Sequence, residues 1–244
     1  MIWGEFSQFL VWCDQLNVPV LDEARRAQEL MDVIASPAVD TSAPILSLSD
    51  DQLRERIRDV SIMNHGDGIL HGLSRGASLA HEQLLSELHA AYLPHLDEIV
   101  QGLAEEFETN TRPLVSGVQD YGFTLKTTSD EVIRSEQPGI VEAWRAAEKA
   151  WHSIDNVVYF REVLSKTFNV GPGKPHGSFD DLDYTVCYAA GDNWTSDGAG
   201  YVNGNVAGDI DWFRLATEGL RLNTPSEVVE KQEQARRRRL GLTA

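Results

Sequence analysis

Cysteine is nearly absent from this chain, Cys13 and Cys187 being the only two in 244 residues. Two thiols far apart in sequence and in unlike contexts make no disulfide framework, so stability must come from a buried core, which a chain of this length can supply. Free thiols fit a reducing cytoplasm, with a Cys13 to Cys187 bridge as the alternative. Long apolar runs are missing too. No window approaches the roughly 18 consecutive apolar residues that a membrane-spanning helix needs, so a soluble protein is expected. Met1-Ile2-Trp3-Gly4-Glu5-Phe6 has no basic region, and Gln8, Asp14 and Gln15 interrupt the apolar residues after it, so no classical signal peptide is expected.

Positive charge is scarce: 21 Lys and Arg stand against 38 Asp and Glu, a formal charge of −17. A protein that coats duplex nucleic acid needs a net basic face to neutralise phosphates, so that class is excluded and any such contact must be local. Chemical motifs are equally sparse. Gly171-Pro172-Gly173-Lys174 lacks the spacing of a phosphate-binding loop and comes after a helical pattern where a strand is required. Gly198-Ala199-Gly200 fails the dinucleotide fingerprint, and no Ser or Cys sits in a nucleophile-elbow context.

What the chain does have is helical periodicity. Ile2, Phe6, Phe9, Cys13 and Leu16 alternate steps of four and three, one face of a helix that Asn17 to Pro19 ends. A second helix is expected from Asp22, as a possible N-cap, to Ala35, with Ala24, Leu30, Met31 and Ile34 as its apolar contacts. The segment 36–48 is rich in Pro, Ser, Thr and Ala and reads as a linker, which makes residues 1–48 an N-terminal helical arm. Ser49 with Gln52 resembles a capping box, and Leu53, Ile57 and Val60 line the helix beyond it until Asn64-His65-Gly66-Asp67-Gly68.

From about 69 to 108, Leu85, Leu88, Tyr92, Leu96, Ile99, Leu103 and Phe107 follow an eleven-residue repeat, close to the natural helical period, which predicts a nearly straight helix. Pro94 lies inside it, and because the stripe keeps phase across the proline the expectation is one continuous kinked helix. Residues 114–128 carry two glycines and alternating Tyr121, Phe123 and Leu125, the pattern of a short hairpin or ordered loop. After Pro138, as a first helical residue, Ile140, Trp144, Ala147, Trp151, Ile154 and Val158 form a strict heptad seam, expected to pack antiparallel on the 69–108 helix.

Beyond Phe168 the character changes. Residues 171–210 hold eight of the nineteen glycines with Asp180, Asp181, Asp183, Asp192, Asp197 and Asp209, and also Phe179, Tyr184, Tyr188, Trp194 and Tyr201. Too glycine-rich for a helix and too aromatic for a linker, the stretch reads as an ordered, loop-rich surface with short strands. A short helix over about 209–218 and a terminal one opened by Thr224-Pro225-Ser226-Glu227 should come after it. The fold class is therefore mainly α: an N-terminal helical arm (1–48), a long helical hairpin (49–170) and a loop-rich C-terminal region (171–244) with short strands, a terminal helix and a basic tail.

Candidate sites are few. Arg236, Arg237, Arg238 and Arg239 point in all directions around a helix and cannot share one intrahelical face. They could dock an acidic protein surface or a nucleic-acid backbone, or simply form a cation-rich helix end with Glu227 to Lys231 and Glu233 to Arg237 pairs. Trp144 and Trp151, seven apart, suit a hairpin core or an interface centre. His81 and His89 lie eight apart, about 12 Å along a helix, too far to hold one metal ion; His65, His71 and His95 offer no better set. His176 beside Asp180, Asp181 and Asp183 could serve a metal-dependent hydrolase or be an ordinary turn. Asn193, Thr195, Asp197 and Gly198 echo a calcium loop without its first acidic ligand or its twelfth-position Glu.

No cofactor, metal or catalytic set is expected. The leading expectation is a non-enzymatic structural or assembly protein of a multi-subunit complex, with a phage or virus particle (capsid, connector or tail) as the setting, self-associating or bound to other protein subunits, in the cytoplasm or the virion. The alternatives are the hydrolase built on His176 and Asp180 to Asp183, and a bacterial effector with a helical targeting half.

Overall fold

A computed structural model describes residues 2–35, 49–52, 54, 75–170, 185–191 and 210–241, and it is mainly helical. The chain divides into two compact units, Met1–Pro19 with Pro94–Ala244, and Val20–Leu93. The linker 36–48, the line Leu53, Ile57 and Val60, and the change of character at Gly171 lie outside the described residues, as do the expected segment boundaries at 48 and 171.

In the first unit, α1 (Trp3–Gln15) buries Phe6, Phe9 and Cys13 along the expected stripe. It ends with Asn17 in the left-handed region (φ 52), and the Val18 N–H donates back to the Cys13 carbonyl at 2.8 Å. That closes the helix as a Schellman turn does, with asparagine in glycine's usual place. The first helix of the expected arm is docked: Phe9 stacks on Phe160 (5.8 Å, 27°) and meets Phe168 edge-on (5.0 Å, 86°). Both partners belong to α8 (Asp155–Phe168), which ends on Asn169 (φ 52) in the same manner.

In the second unit, α2 (Asp22–Ala35) lies against α3 (Arg75–Tyr92). Asp22 is the first helical residue there, so its carboxylate favours the helix N-terminus through the dipole and is no N-cap. The Tyr92 ring is fully buried, and its hydroxyl accepts the Leu21 N–H at 3.2 Å. Ser49 and Gln52 do form the reciprocal cap expected of them.

The expected continuous helix from 69 to 108 is not what forms. Helix α3 ends at Tyr92, a 3-10 turn covers Leu93–His95, α4 covers Leu96–Gln101, and after Gly102 the helix α5 runs from Ala104 to Tyr121. Proline at position 94 removes a backbone donor, and the chain resolves the conflict by leaving the α-helix altogether. The stripe itself survives, with Leu85, Leu88, Tyr92, Leu96, Leu103 and Phe107 buried. The expected hairpin or loop over 114–128 is corrected as well. Helix α5 continues through Pro113 and buries Leu114, Gly117 and Val118 before Gly122 (φ 70) ends it, because its face against the helix Ile140–Ser153 outweighs the local cost of an interior proline.

The hairpin partners also differ from expectation. A short α6 (Ser129–Arg134), capped by Thr128 and Glu131, precedes α7 (Ile140–Ser153), whose N-cap is Gly139 at φ 79; Pro138 stands outside it. The most extensive interhelical packing is α5 on α7, in place of the 69–108 helix on 138–158. The heptad seam spans two helices, with Ile154 buried at the joint between α7 and α8, so it is no continuous coiled-coil stripe.

In the C-terminal region, α9 (Trp212–Ala216) is shorter than the expected 209–218 helix, and α10 (Pro225–Arg239) has the expected cap, Thr224 and Glu227 bonding reciprocally. The short strands reduce, among the described residues, to one isolated antiparallel bridge between Ala189 and Leu220. Around it the 185–190 segment is tied down. Fully buried Asn223 donates from Nδ2 to the Val186 and Ala189 carbonyls at 2.7 and 2.9 Å, and its N–H donates to the Cys187 carbonyl at 2.7 Å. Lys231 Nζ donates to the Ala189 carbonyl at 2.6 Å, while Glu227, its expected partner, pairs with Arg221. Both cysteines are buried and no bridge joins them; burial pushes the Cys13 thiol up to about 12.

Candidate interaction surface

Helix α7 presents Trp144, Glu148, Trp151 and His152 on one side, at the three- and four-residue spacing that makes helical neighbours. Two other elements complete a groove with them. The turn after Gly122 is closed by Thr127, whose Oγ1 accepts the Thr124 N–H at 2.9 Å and whose own N–H donates to the Thr124 carbonyl at 3.0 Å. This turn leaves Leu125 53% exposed while Phe123 is buried. From the other side, Asp211 caps α9 by accepting the Arg214 N–H at 3.0 Å and so places Phe213 over the indoles.

The rings form a connected floor. Trp144 and Phe213 are stacked, with centroids 6.1 Å apart and planes 3° apart; Trp151 meets Phe213 at 5.4 Å and 54°, and Phe123 meets Trp144 edge-on at 5.0 Å and 89°. Both tryptophans are half-buried, so each contributes to the core and keeps a face outward. The recess holds about 310 Å³, lined by Leu125, Thr127, Trp144, Glu148, Trp151, His152 and Phe213. The Trp144 Nε1–H is buried without a hydrogen-bond partner. The floor is apolar and the rim charged, the composition of an interface core with its polar edge.

Chemically the groove offers hydrophobic contact. Among the described residues no group of three or more His, Cys, Asp or Glu side chains could hold a metal ion. His81 and His89 are half-buried on α3, and His95 lies 3.7 Å from the Glu98 carboxylate at an exposed position. His65, His71, His176, Asp180, Asp181, Asp183 and the 193–198 loop lie outside the described residues.

The arginine run ends α10. Arg236 and Arg237 both reach Glu233, at 3.8 and 3.1 Å, with side chains 74% and 64% exposed. Arg238 is exposed, and the side chain of Arg239 is outside the described set. The Glu233 to Arg237 pair is the expected one; a second arginine sharing that carboxylate leaves the cluster with a net positive charge facing water.

The indole pair was legible from its spacing. Its partners Phe213 and Leu125 were not, because they come from distant segments that the sequence does not bring together. No known family model matches the chain, and neither curated proteins nor solved structures show a significant match to it. Among the described residues no helix is long and apolar enough to cross a membrane.

Proposed function

We propose that this protein is a non-enzymatic structural or assembly subunit that uses the Trp144, Trp151, Phe213 and Leu125 groove as a contact for a second copy of itself or a neighbouring subunit. The observation that carries this reading is the half-exposed Trp144 and Trp151 beside the exposed Leu125. Large aromatics in a partly desolvated recess are the side chains that dominate interface energetics, because burying their remaining surface costs little conformational entropy. The exposed Arg236, Arg237 and Arg238 supply a second contact, suited to an acidic surface on a chain whose own charge is −17. A phage or virus particle is the proposed setting, resting on the character of the sequence alone.

Light scattering at micromolar concentration tests the reading. The wild type is expected to associate, and Leu125→Asp, at a position already exposed, is expected to weaken association at least tenfold without lowering thermal stability. A wild type that is strictly monomeric and recovers no partner from its native lysate refutes it.

A further inference from the structure

The outward side of α10 carries a pattern that is symmetric end to end: apolar, charged, charged, apolar. Val229, Glu233, Arg236 and Leu240 follow steps of four, three and four, which keeps them on one narrow face of the helix. Leu240 caps α10, its N–H donating to the Arg236 carbonyl at 3.1 Å, so the stripe runs unbroken for about 16 Å at the helical rise. Both apolar ends face water, Val229 being 58% exposed and Leu240 61%. Between them stand one carboxylate and one guanidinium. Val228 and Ala235 carry the buried side of α10, so the helix packs on its own chain and still leaves this stripe outward.

The pairs that α10 makes within itself are weak enough to exchange. Glu233 is shared by Arg236 and Arg237, both arginines are exposed, and ion pairs of this kind are worth little in water. A second α10 can be laid antiparallel on the stripe about a two-fold axis beside the midpoint between Gln234 and Ala235. Val229 then stands opposite Leu240 of the other copy and Glu233 opposite Arg236 of the other copy, and each contact occurs twice. A recess of about 430 Å³, lined by Glu233, Arg236, Arg237 and Leu240, lies where Val229 of the other copy arrives. Parallel pairing instead sets Glu233 on Glu233 and Arg236 on Arg236. Like charges then meet face to face, which rejects that arrangement.

We infer that α10 is a self-association element, its Val229, Glu233, Arg236 and Leu240 stripe pairing antiparallel with the same stripe of a second copy. This rests on the reading of the chain as an assembly subunit, and it names the acidic group that the arginines meet: Glu233 of another copy. Two chains of charge −17 repel one another, and the arginine-rich end of α10 is where their approach meets least resistance. Four residues a side are far fewer than the roughly 20 to 30 of a standard interface. The helix pair is therefore a weak contact by itself and adds to others, the Trp144 groove among them.

The test is cysteine trapping in the full chain. Val229→Cys and Leu240→Cys are made separately, both at exposed positions outside the core, and mixed under mild oxidation. Cys13 and Cys187 are buried, and the wild type serves as the blank. The mixture is expected to form a disulfide dimer joining 229 to 240 at least about tenfold faster than either variant alone, because only antiparallel pairing in this register brings the two positions together. Arg236→Glu in both proteins is expected to slow trapping at least about tenfold, and Glu233→Arg added to it to restore the rate. The preference for the mixture is a ratio, so Leu125→Asp in both proteins should leave it in place whatever that substitution does to light scattering. Failure of the groove and failure of the helix pair are thus told apart. No dimer, trapping in the mixture no faster than in the single variants, or a rate indifferent to the charge at 236 overturns the inference.

Discussion

Gly117 of α5 lies against Phe123 and against Ala147 of α7, and replacing it with alanine tests whether these segments pack as described. A Cβ at Gly117 would stand 2.7 Å from Cδ2 and 3.0 Å from Cε2 of Phe123, and 3.4 Å from the Ala147 Cβ. Carbon contacts settle near 3.5 to 4 Å, so the ring must retreat by about 1 Å. It has little room to do so. Phe123 lies between Tyr121, stacked at 5.6 Å and 17°, and Trp144, edge-on at 5.0 Å, and its N–H donates to the Gly117 carbonyl at 3.4 Å. Alanine would gain about 1 kcal/mol of helix propensity over glycine. Overpacking a filled core costs about 1 to 3 kcal/mol, so Gly117→Ala should change stability by about 0 to 2 kcal/mol in the destabilising direction on balance. For a chain of this size that lowers Tm by up to about 8 °C. The same substitution in a Phe123→Leu background removes the clash, and there it should be neutral or stabilising by up to about 1 kcal/mol. Paired thermal melts of the four proteins measure the coupling. A raised Tm for Gly117→Ala in the wild-type background, or no coupling with Phe123→Leu, refutes the packing, and with it the placement of Phe123 beneath Trp144 in the groove.

Asn223→Ala should cost about 2 to 4 kcal/mol, since it leaves the buried Val186 and Ala189 carbonyls without their Nδ2 donor, and hydrogen exchange should rise first at 185–190. Thr224→Ala removes the cap of α10 and should cost about 1 kcal/mol by denaturant titration. Hydrogen bonds from the Thr128 backbone, and secondarily from its side chain, lower the Glu131 carboxyl from its ordinary 4.5, so the stability it adds is present above that value and lost as pH falls through the lowered one. An NMR titration should show this, and Thr128→Ala should move Glu131 part of the way back. Desolvation holds the Cys13 thiol neutral, so the stability it contributes is intact below about 9 and lost as pH rises towards about 12; a thiol reagent at pH 8 should modify Cys13 only at the rate of unfolding.

The sequence by itself determined which residues turn inward. Phe6, Phe9 and Cys13, then Leu85, Leu88, Tyr92, Leu96, Leu103 and Phe107, and Ile140, Ala147, Ile154 and Val158 are buried as their spacing requires, because amphipathic period is a local property of a helix, while Ile2 and Ile99 of the same stripes are not buried. It determined the caps at Ser49 and Thr224 for the same reason: each is a bond between residues three apart. Tertiary structure decided where the helices stop and which of them meet. The chain leaves the α-helix at Pro94 and stays helical through Pro113, where the contact with α7 outweighs the lost hydrogen bond; the two prolines read alike in sequence. It also decided that Trp144 and Trp151 meet Phe213, some sixty residues on, and that Arg161 is buried with one edge of its guanidinium unpaired. Period and capping are fixed by neighbours along the chain, whereas ring stacking and the burial of a charge depend on segments that only the folded chain brings together.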